Sequence, residues 1–201
     1  MKITLQNIGK RFNREWIFRN ICHEFSIGNK YAILGTNGSG KSTLLQIIAG
    51  AMSQTEGEII YDSEITSETL FKEISYASPY LELPEEMTWR EAVRFHGKFK
   101  KFVSEFSEEK IISLSGLESS ADKELRNFSS GMKQRARLSL AILSNKNLLL
   151  LDEPSTNLDQ NAVKWYQNLV SEFAKEKMVI VCSNYNKEEY SFCENTLVMG
   201  K

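Results

Sequence analysis

An apolar run, Lys30-Tyr31-Ala32-Ile33-Leu34, leads directly into Gly35-Thr36-Asn37-Gly38-Ser39-Gly40-Lys41-Ser42, and Thr43-Leu44-Leu45 follows in helical spacing. The eight-residue stretch reads G-x-x-x-x-G-K-S. Glycines at these places let the backbone wrap an anion without Cβ clashes. The loop N–H groups then converge inward, and the helix that begins near Gly40 adds its positive end. A lysine at this spacing reaches the outer phosphates of a nucleotide, and a Ser/Thr hydroxyl next to it ligates Mg²⁺. The stretch therefore predicts a strand–loop–helix unit that holds a nucleoside triphosphate. The residues expected around the phosphates are Gly35, Asn37, Gly38, Ser39, Gly40, Lys41, Ser42 and Thr43.

A chain of 201 residues can bury a sizeable core as one domain or as a domain with an inserted subdomain. The net charge of −1 argues against general nucleic-acid binding or a polybasic membrane anchor. Cys22, Cys182 and Cys193 show no paired spacing and read as reduced thiols of a cytosolic protein. No apolar run approaches the ~20 residues of a membrane span, so a membrane role would come through a partner.

Alternation at Ile3, Leu5 and Ile8 predicts a strand, with Gly9-Lys10-Arg11 turning the chain. Trp16–Ile21 and Phe25–Ile27 read as two further strands, and Gly28-Asn29 as the turn before the strand 30–34. Residues 42–49 form a short helix stopped at Gly50. Strands are predicted over 58–61, 74–77, 148–151 and 178–182, with a helix over 161–175. From Pro84 to about Gly116 the pattern turns helical. Val93, Phe95, Phe99, Phe102, Val103 and Phe106 form a stripe whose aromatics are expected to pack while the interleaved lysines are solvated. His96 is expected at the surface. Strand–helix alternation implies a parallel sheet.

Leu148-Leu149-Leu150-Leu151-Asp152-Glu153-Pro154 supplies the second chemical motif. A hydrophobic strand ending in Asp152 brings a carboxylate beside the phosphate loop, where it can hold Mg²⁺. Glu153 then points to the terminal-phosphate side and can orient or deprotonate an attacking water. Upstream lies Asn127-Phe128-Ser129-Ser130-Gly131-Met132-Lys133-Gln134-Arg135, in which Ser129 is a good helix N-cap and Gly131 permits close backbone approach.

Taken in order, the phosphate loop, the Phe128–Gln134 stretch, L-L-L-D-E-P and Ser155-Thr156-Asn157-Leu158-Asp159 resemble the ATP-binding cassette (ABC) ATPase family over essentially the whole chain. The resemblance implies an α/β P-loop NTPase core with a mainly parallel sheet, an N-terminal antiparallel β subdomain and a helical subdomain inserted at about residues 80–140. It implies a head-to-tail pair in which Ser129 and Gly131 grip the ATP held by the other subunit. Asp159 lies in the loop that crosses that interface. Phe12 stands where the family places an aromatic under the adenine, with Trp16 as the rival platform. The implied cofactors are ATP and Mg²⁺. The implied partners are a second cassette subunit, as in a homodimer, and a separate integral-membrane permease at the inner face of the cell membrane; no nucleic acid is expected.

Two family elements are missing. No glutamine occurs between Gln54 and Gln134, and Ser78-Pro79 stand where a Mg²⁺-sensing glutamine is expected. The only histidines are His23 and His96, so Asn184 takes the place of a switch histidine. An amide can donate to a phosphate but carries no imidazolium charge. The expectation is an ATPase with Lys41, Glu153 and Asn184 at its catalytic centre and slowed hydrolysis. The alternative is a soluble, non-transport ABC ATPase that uses ATP-dependent dimerisation as a switch.

Overall fold

The computed structural model describes residues 1–62, 65 and 69–200. Two sheets form the frame. The first is antiparallel and three-stranded, in the order β2-β1-β4, from β1 (Lys2–Phe12), β2 (Glu15–Ser26) and β4 (Glu56–Tyr61). The second is parallel and five-stranded, in the order β5-β6-β7-β3-β8. Its strands are β3 (Lys30–Leu34), β5 (Ile74–Ala77), β6 (Leu148–Asp152), β7 (Met178–Ser183) and β8 (Asn195–Val198). The helices are α1 (Lys41–Ile48), α2 (Trp89–Phe99), α3 (Glu108–Ser115), α4 (Ser130–Ile142), α5 (Gln160–Phe173) and the short α6 (Lys187–Tyr190).

The four leucines of β6 show why this sheet sits inside the molecule. Successive strand side chains point to opposite faces. Leu148 and Leu150 join the core that α1 and the antiparallel sheet cover, while Leu149 and Leu151 join the core beneath α2, α3, α4 and α5. All four are fully buried, as expected of a central parallel strand covered on both faces. Three helices, α2 to α4, enter the chain between β5 and β6, which makes up the inserted helical part. Its first helix carries a capping box. Thr88 Oγ1 accepts from the Glu91 N–H at 3.2 Å, and Glu91 accepts from the Thr88 N–H at 2.8 Å.

Four sequence expectations are corrected. The chain does not turn at Gly9; β1 runs through it to Phe12, and the hairpin turns at Asn13-Arg14. A Cβ on Gly9 would lie 3.1 Å from the Trp16 ring, so this glycine makes room for the indole across the strand pair. The two predicted strands between Trp16 and Ile27 are one continuous strand, β2. Irregular pairing between β1 and β2 at Leu5/Ile8, Ile8/Lys10 and Lys10/Arg11, with Asn7 and Asn20 at positive φ, absorbs the breaks in alternation. His96 is half-buried rather than a free surface residue. Its Nε2 lies 2.7 Å from Ser144 Oγ, its ring stacks on Phe102, and burial followed by the charges of Lys100 and Lys146 lowers its pKa to about 4.

The aromatic stripe divides. Val93 and Phe102 are buried as expected, but Phe95 and Phe99 are 45% and 71% exposed and contact each other edge to face at 5.0 Å. Their helix turns toward solvent there because the Trp89, Ala92 and Val93 side of α2 faces the core.

Candidate functional site

The phosphate loop lies between β3 and α1. The Gly35 N–H donates to the Ser183 carbonyl at 3.4 Å, tying the loop to the end of β7, and the Ser39 N–H donates to the Thr36 carbonyl at 3.1 Å. Gly40 sits at φ +92°, and a Cβ there would come within 2.6 Å of Ile17 and 2.7 Å of Phe18. Both the left-handed conformation and the packing against β2 exclude other residues. From Gly40 the chain enters α1, whose free N–H groups face the same hollow.

That hollow is a cleft of about 450 Å³ lined by Ile17, Asn37, Gly38, Gly40, Lys41, Ser42, Thr43, Pro79, Tyr80, Asp152 and Glu153. Lys41 is only 4% exposed; its Nζ donates to the Thr36 carbonyl at 3.2 Å and lies 3.9 Å from Glu153 Oε1. The Ser42 hydroxyl donates to Asp152 Oδ1 at 3.0 Å, joining α1 to the end of β6. Burial raises the Asp152 carboxyl above its ordinary value. The Ser42 hydrogen bond opposes that shift, Glu153 reinforces it, and Lys41 opposes it again. Glu153 adopts φ +43°, an unusual conformation for a side chain of this size; its N–H donates to the Cys182 carbonyl at 3.0 Å. Among the described residues Ser39 Oγ, buried in the loop, has no hydrogen-bond partner. A buried hydroxyl of this kind calls for a polar partner.

Eight of the sequence-predicted site residues come together here, Asn37, Gly38, Gly40, Lys41, Ser42, Thr43, Asp152 and Glu153, whereas Gly35 and Ser39 of the same loop do not line the cleft. Others do not line the cleft. Phe12 is exposed at the hairpin, with Lys10 Nζ 4.9 Å from its ring centre. Trp16 is engaged by Arg11 and Arg19 at 5.3 and 4.2 Å. Ser129 caps α4, its hydroxyl accepting from the Met132 N–H at 3.2 Å, and is exposed. Asp159 caps α5 by accepting from the Ala162 N–H at 2.8 Å. Asn184 is exposed just beyond β7. Gly131 has a role within its own chain, since a Cβ would stand 2.9 Å from the Asn157 carbonyl. The turn at Ser129–Gly131 and the 155–159 loop are therefore in direct contact. Buried Gln134 adds a second tie, donating to the Pro154 carbonyl at 3.0 Å.

Sequence reasoning missed Ile17, Pro79 and Tyr80 as cleft residues. Pro79 and Tyr80 follow β5, where the family's glutamine is sought. The position was legible, but the residue types gave no chemical signal.

A parallel sheet, a glycine-rich loop before α1 and a serine–aspartate pair across the cleft define a P-loop nucleotide-binding protein. The ABC transporter family model matches residues 18–156. A *Bacillus subtilis* (strain 168) protein named as an uncharacterised ABC transporter ATP-binding protein, YybJ, is 31% identical over 98% of this chain and 92% of its own. The lantibiotic transport ATP-binding protein SrtF of *Streptococcus pyogenes* is 28% identical over 91% of this chain and 80% of its own. Among solved structures, the ATP-binding subunit of an ABC transporter superposes with a TM-score of 0.87 at 22% identity, covering 99% of this chain and 86% of that one. The likeness to that structure is one of fold. The chain belongs to the ABC transporter family and is an ATP-binding cassette of that family.

Proposed function

We propose that this cassette powers a membrane permease through ATP-dependent pairing of two copies, each ATP being gripped by Lys41, Asp152 and Glu153 of one copy and by Ser129 and Gly131 of the other. The observation that carries this reading is the one-sided cleft. The phosphate loop, Asp152 and Glu153 line the cleft, while exposed Ser129 and half-buried Gly131, at the start of α4, do not line it. Two-fold pairing closes such a site twice over.

The donor set suits Mg²⁺. Hard oxygens from a hydroxyl and a carboxylate, 3.0 Å apart, match its preference for one or two protein ligands plus phosphate oxygens and water. When bound, the ion would neutralise charge on the phosphate oxygens. Ser42 and Asp152 would hold it. Lys41 would place its ammonium on the outer phosphates, and Glu153 would accept a proton from the attacking water. Asn184, next to Ser183 on the phosphate-loop side of β7, would donate its amide to the terminal phosphate. Phe12 would stack on the adenine, and Asp159 would face the partner copy. With an amide in place of an imidazole at residue 184 and no glutamine after β5, hydrolysis proceeds more slowly than in a cassette that has both.

The permease would dock on the groove of about 280 Å³ formed by Tyr76, Leu81, Leu83, Phe95, Phe99 and Leu140, among others. Its exposed aromatics on α2 provide the apolar anchor such contacts use. No helix among the described residues is long and apolar enough to cross a membrane, and the cassette would sit at the inner membrane face through this groove. The test is a phosphate-release assay on the wild type and Asn184→His. Turnover is expected in the wild type and faster turnover in the variant. Unchanged turnover in Asn184→His would mean that residue 184 is no switch, and no turnover in the wild type would sink the ATPase reading.

A further inference from the structure

One buried carboxylate near the cleft is unused by the mechanism above. Glu189, on α6, is 4% exposed. Both of its oxygens are engaged. Oε1 accepts from the Ser155 hydroxyl at 2.7 Å and from the Ser155 N–H at 3.2 Å, and Oε2 accepts from the Ser183 hydroxyl. Asn186 closes the ring: its Nδ2 donates to Ser155 Oγ at 3.0 Å, and its N–H donates to Ser183 Oγ at 3.1 Å. Among the described residues no cation forms an ion pair with Glu189. A buried carboxylate without a counter-charge is costly unless hydrogen bonds compensate it. Here the compensating donors come from the 155–159 loop and from the end of β7.

The placement of those donors is what matters. Ser155 lies two residues beyond Glu153 and opens the 155–159 loop, whose Asn157 carbonyl meets Gly131. Ser183 immediately precedes Asn184, and its carbonyl receives the Gly35 N–H of the phosphate loop. The base of α6 is anchored in turn, since the Tyr166 hydroxyl donates to the Glu189 carbonyl at 2.8 Å and Gln167 donates to the Glu188 carbonyl at 2.8 Å. Glu189 is thus a rigid bracket between the loop carrying Glu153 and the loop carrying Asn184.

We infer that Glu189 is a positioning residue for ATP hydrolysis, fixing Glu153 and Asn184 relative to each other through Ser155 and Ser183. The inference rests on the ATPase reading above. Loss of the bracket would free both loops while leaving the phosphate loop and α1 intact. The expected result is a fall in kcat with little change in ATP affinity. A misplacement of ~1 Å costs on the order of 100-fold in rate, so a partial loosening would cost about tenfold.

The experiment measures kcat by phosphate release and nucleotide affinity with a fluorescent ATP analogue. Its variants are Glu189→Ala, Glu189→Gln, Ser155→Ala and the Glu189→Ala/Ser155→Ala pair. Glu189→Ala is expected to lower kcat about tenfold with affinity unchanged. Glu189→Gln is expected to recover most of that loss, because its amide oxygen still accepts from Ser155 and Ser183 can turn its hydroxyl to the Asn186 carbonyl at 3.3 Å. The double variant is expected to be no worse than Glu189→Ala alone, as for two groups acting in one unit. Unchanged kcat in Glu189→Ala, additive losses, or affinity falling in step with kcat would each overturn the inference. Should Glu189→Ala fail to fold, Ser155→Ala decides: a lowered kcat at native affinity supports it and wild-type kcat overturns it. An inactive wild type would instead refute the ATPase reading on which the inference stands.

Discussion

Gly131→Ala is a sharp test of how the turn at Ser129–Gly131 is coupled to the rest of the site. The added methyl would stand 2.9 Å from the Asn157 carbonyl oxygen, about 0.5 Å inside the 3.4 Å at which ordinary contact begins. The obstacle is backbone, so α4 or the 155–159 loop must move. Overpacking of this kind costs about 1–3 kcal/mol, while replacing glycine by alanine in a helix returns ~1 kcal/mol. The net cost is roughly 0–2 kcal/mol. For a chain of this length each kcal/mol is worth about 2–4 °C in Tm, so the variant stays folded at 25 °C, with Tm lowered by no more than about 8 °C. Turnover responds differently. Displacing a reacting constellation by ~1 Å costs on the order of 100-fold, and half that shift should cost about tenfold. ATP binding to an isolated copy should be unchanged, because Gly131 does not line that copy's cleft. Thermal melts, fluorescent-nucleotide titration and phosphate release together check the prediction. Wild-type turnover in a folded Gly131→Ala protein would refute the argued coupling between α4 and the loop.

Further predictions concern Asp152 and the α2 face. Burial raises the Asp152 carboxyl above its ordinary value of 3.8, so the folded chain binds that proton more readily than the unfolded one. The stability this contributes is present below the unfolded value and is lost as pH rises through the folded value. At pH 7 the ionised carboxylate is therefore a burden on the nucleotide-free fold. Asp152→Asn should raise Tm there, with the difference from wild type shrinking as pH falls toward 4, and should cut turnover by about 100-fold or more. A lowered Tm at pH 7 would contradict this. Replacing exposed Phe95 and Phe99 by aspartate should leave basal ATP turnover within about twofold, as surface changes away from the cleft do, and abolish co-purification with the permease. Retained co-purification would exclude the α2 groove as the docking site.

The sequence made part of this molecule legible for physical reasons. Chemistry that depends on adjacent residues was readable. The loop 35–42, the strand ending at Asp152 and the strand over 74–77 are all found where spacing placed them. The antiparallel sheet was less readable. Bulges at Asn7 and Asn20 disturb the period-two pattern there, and Gly9, which accommodates an indole, looks in sequence like a turn. His96 was misjudged because its burial depends on Ser144 and Phe102, which reach it only through tertiary packing. Phe95 and Phe99 showed the opposite error, since a helical stripe does not reveal which part of it lies over the core. Glu189 was invisible in one dimension: its partners are 34 and 6 residues away, and nothing in its surroundings along the chain marks a buried acid.

The head-to-tail account is tested most directly by the mass of Glu153→Gln in solution. With the proton acceptor removed and the phosphate grip kept, the variant at saturating ATP should run as a dimer by light scattering and return to a monomer when ATP is replaced by ADP. A monomer under both conditions, with ATP demonstrably bound, would contradict the shared site.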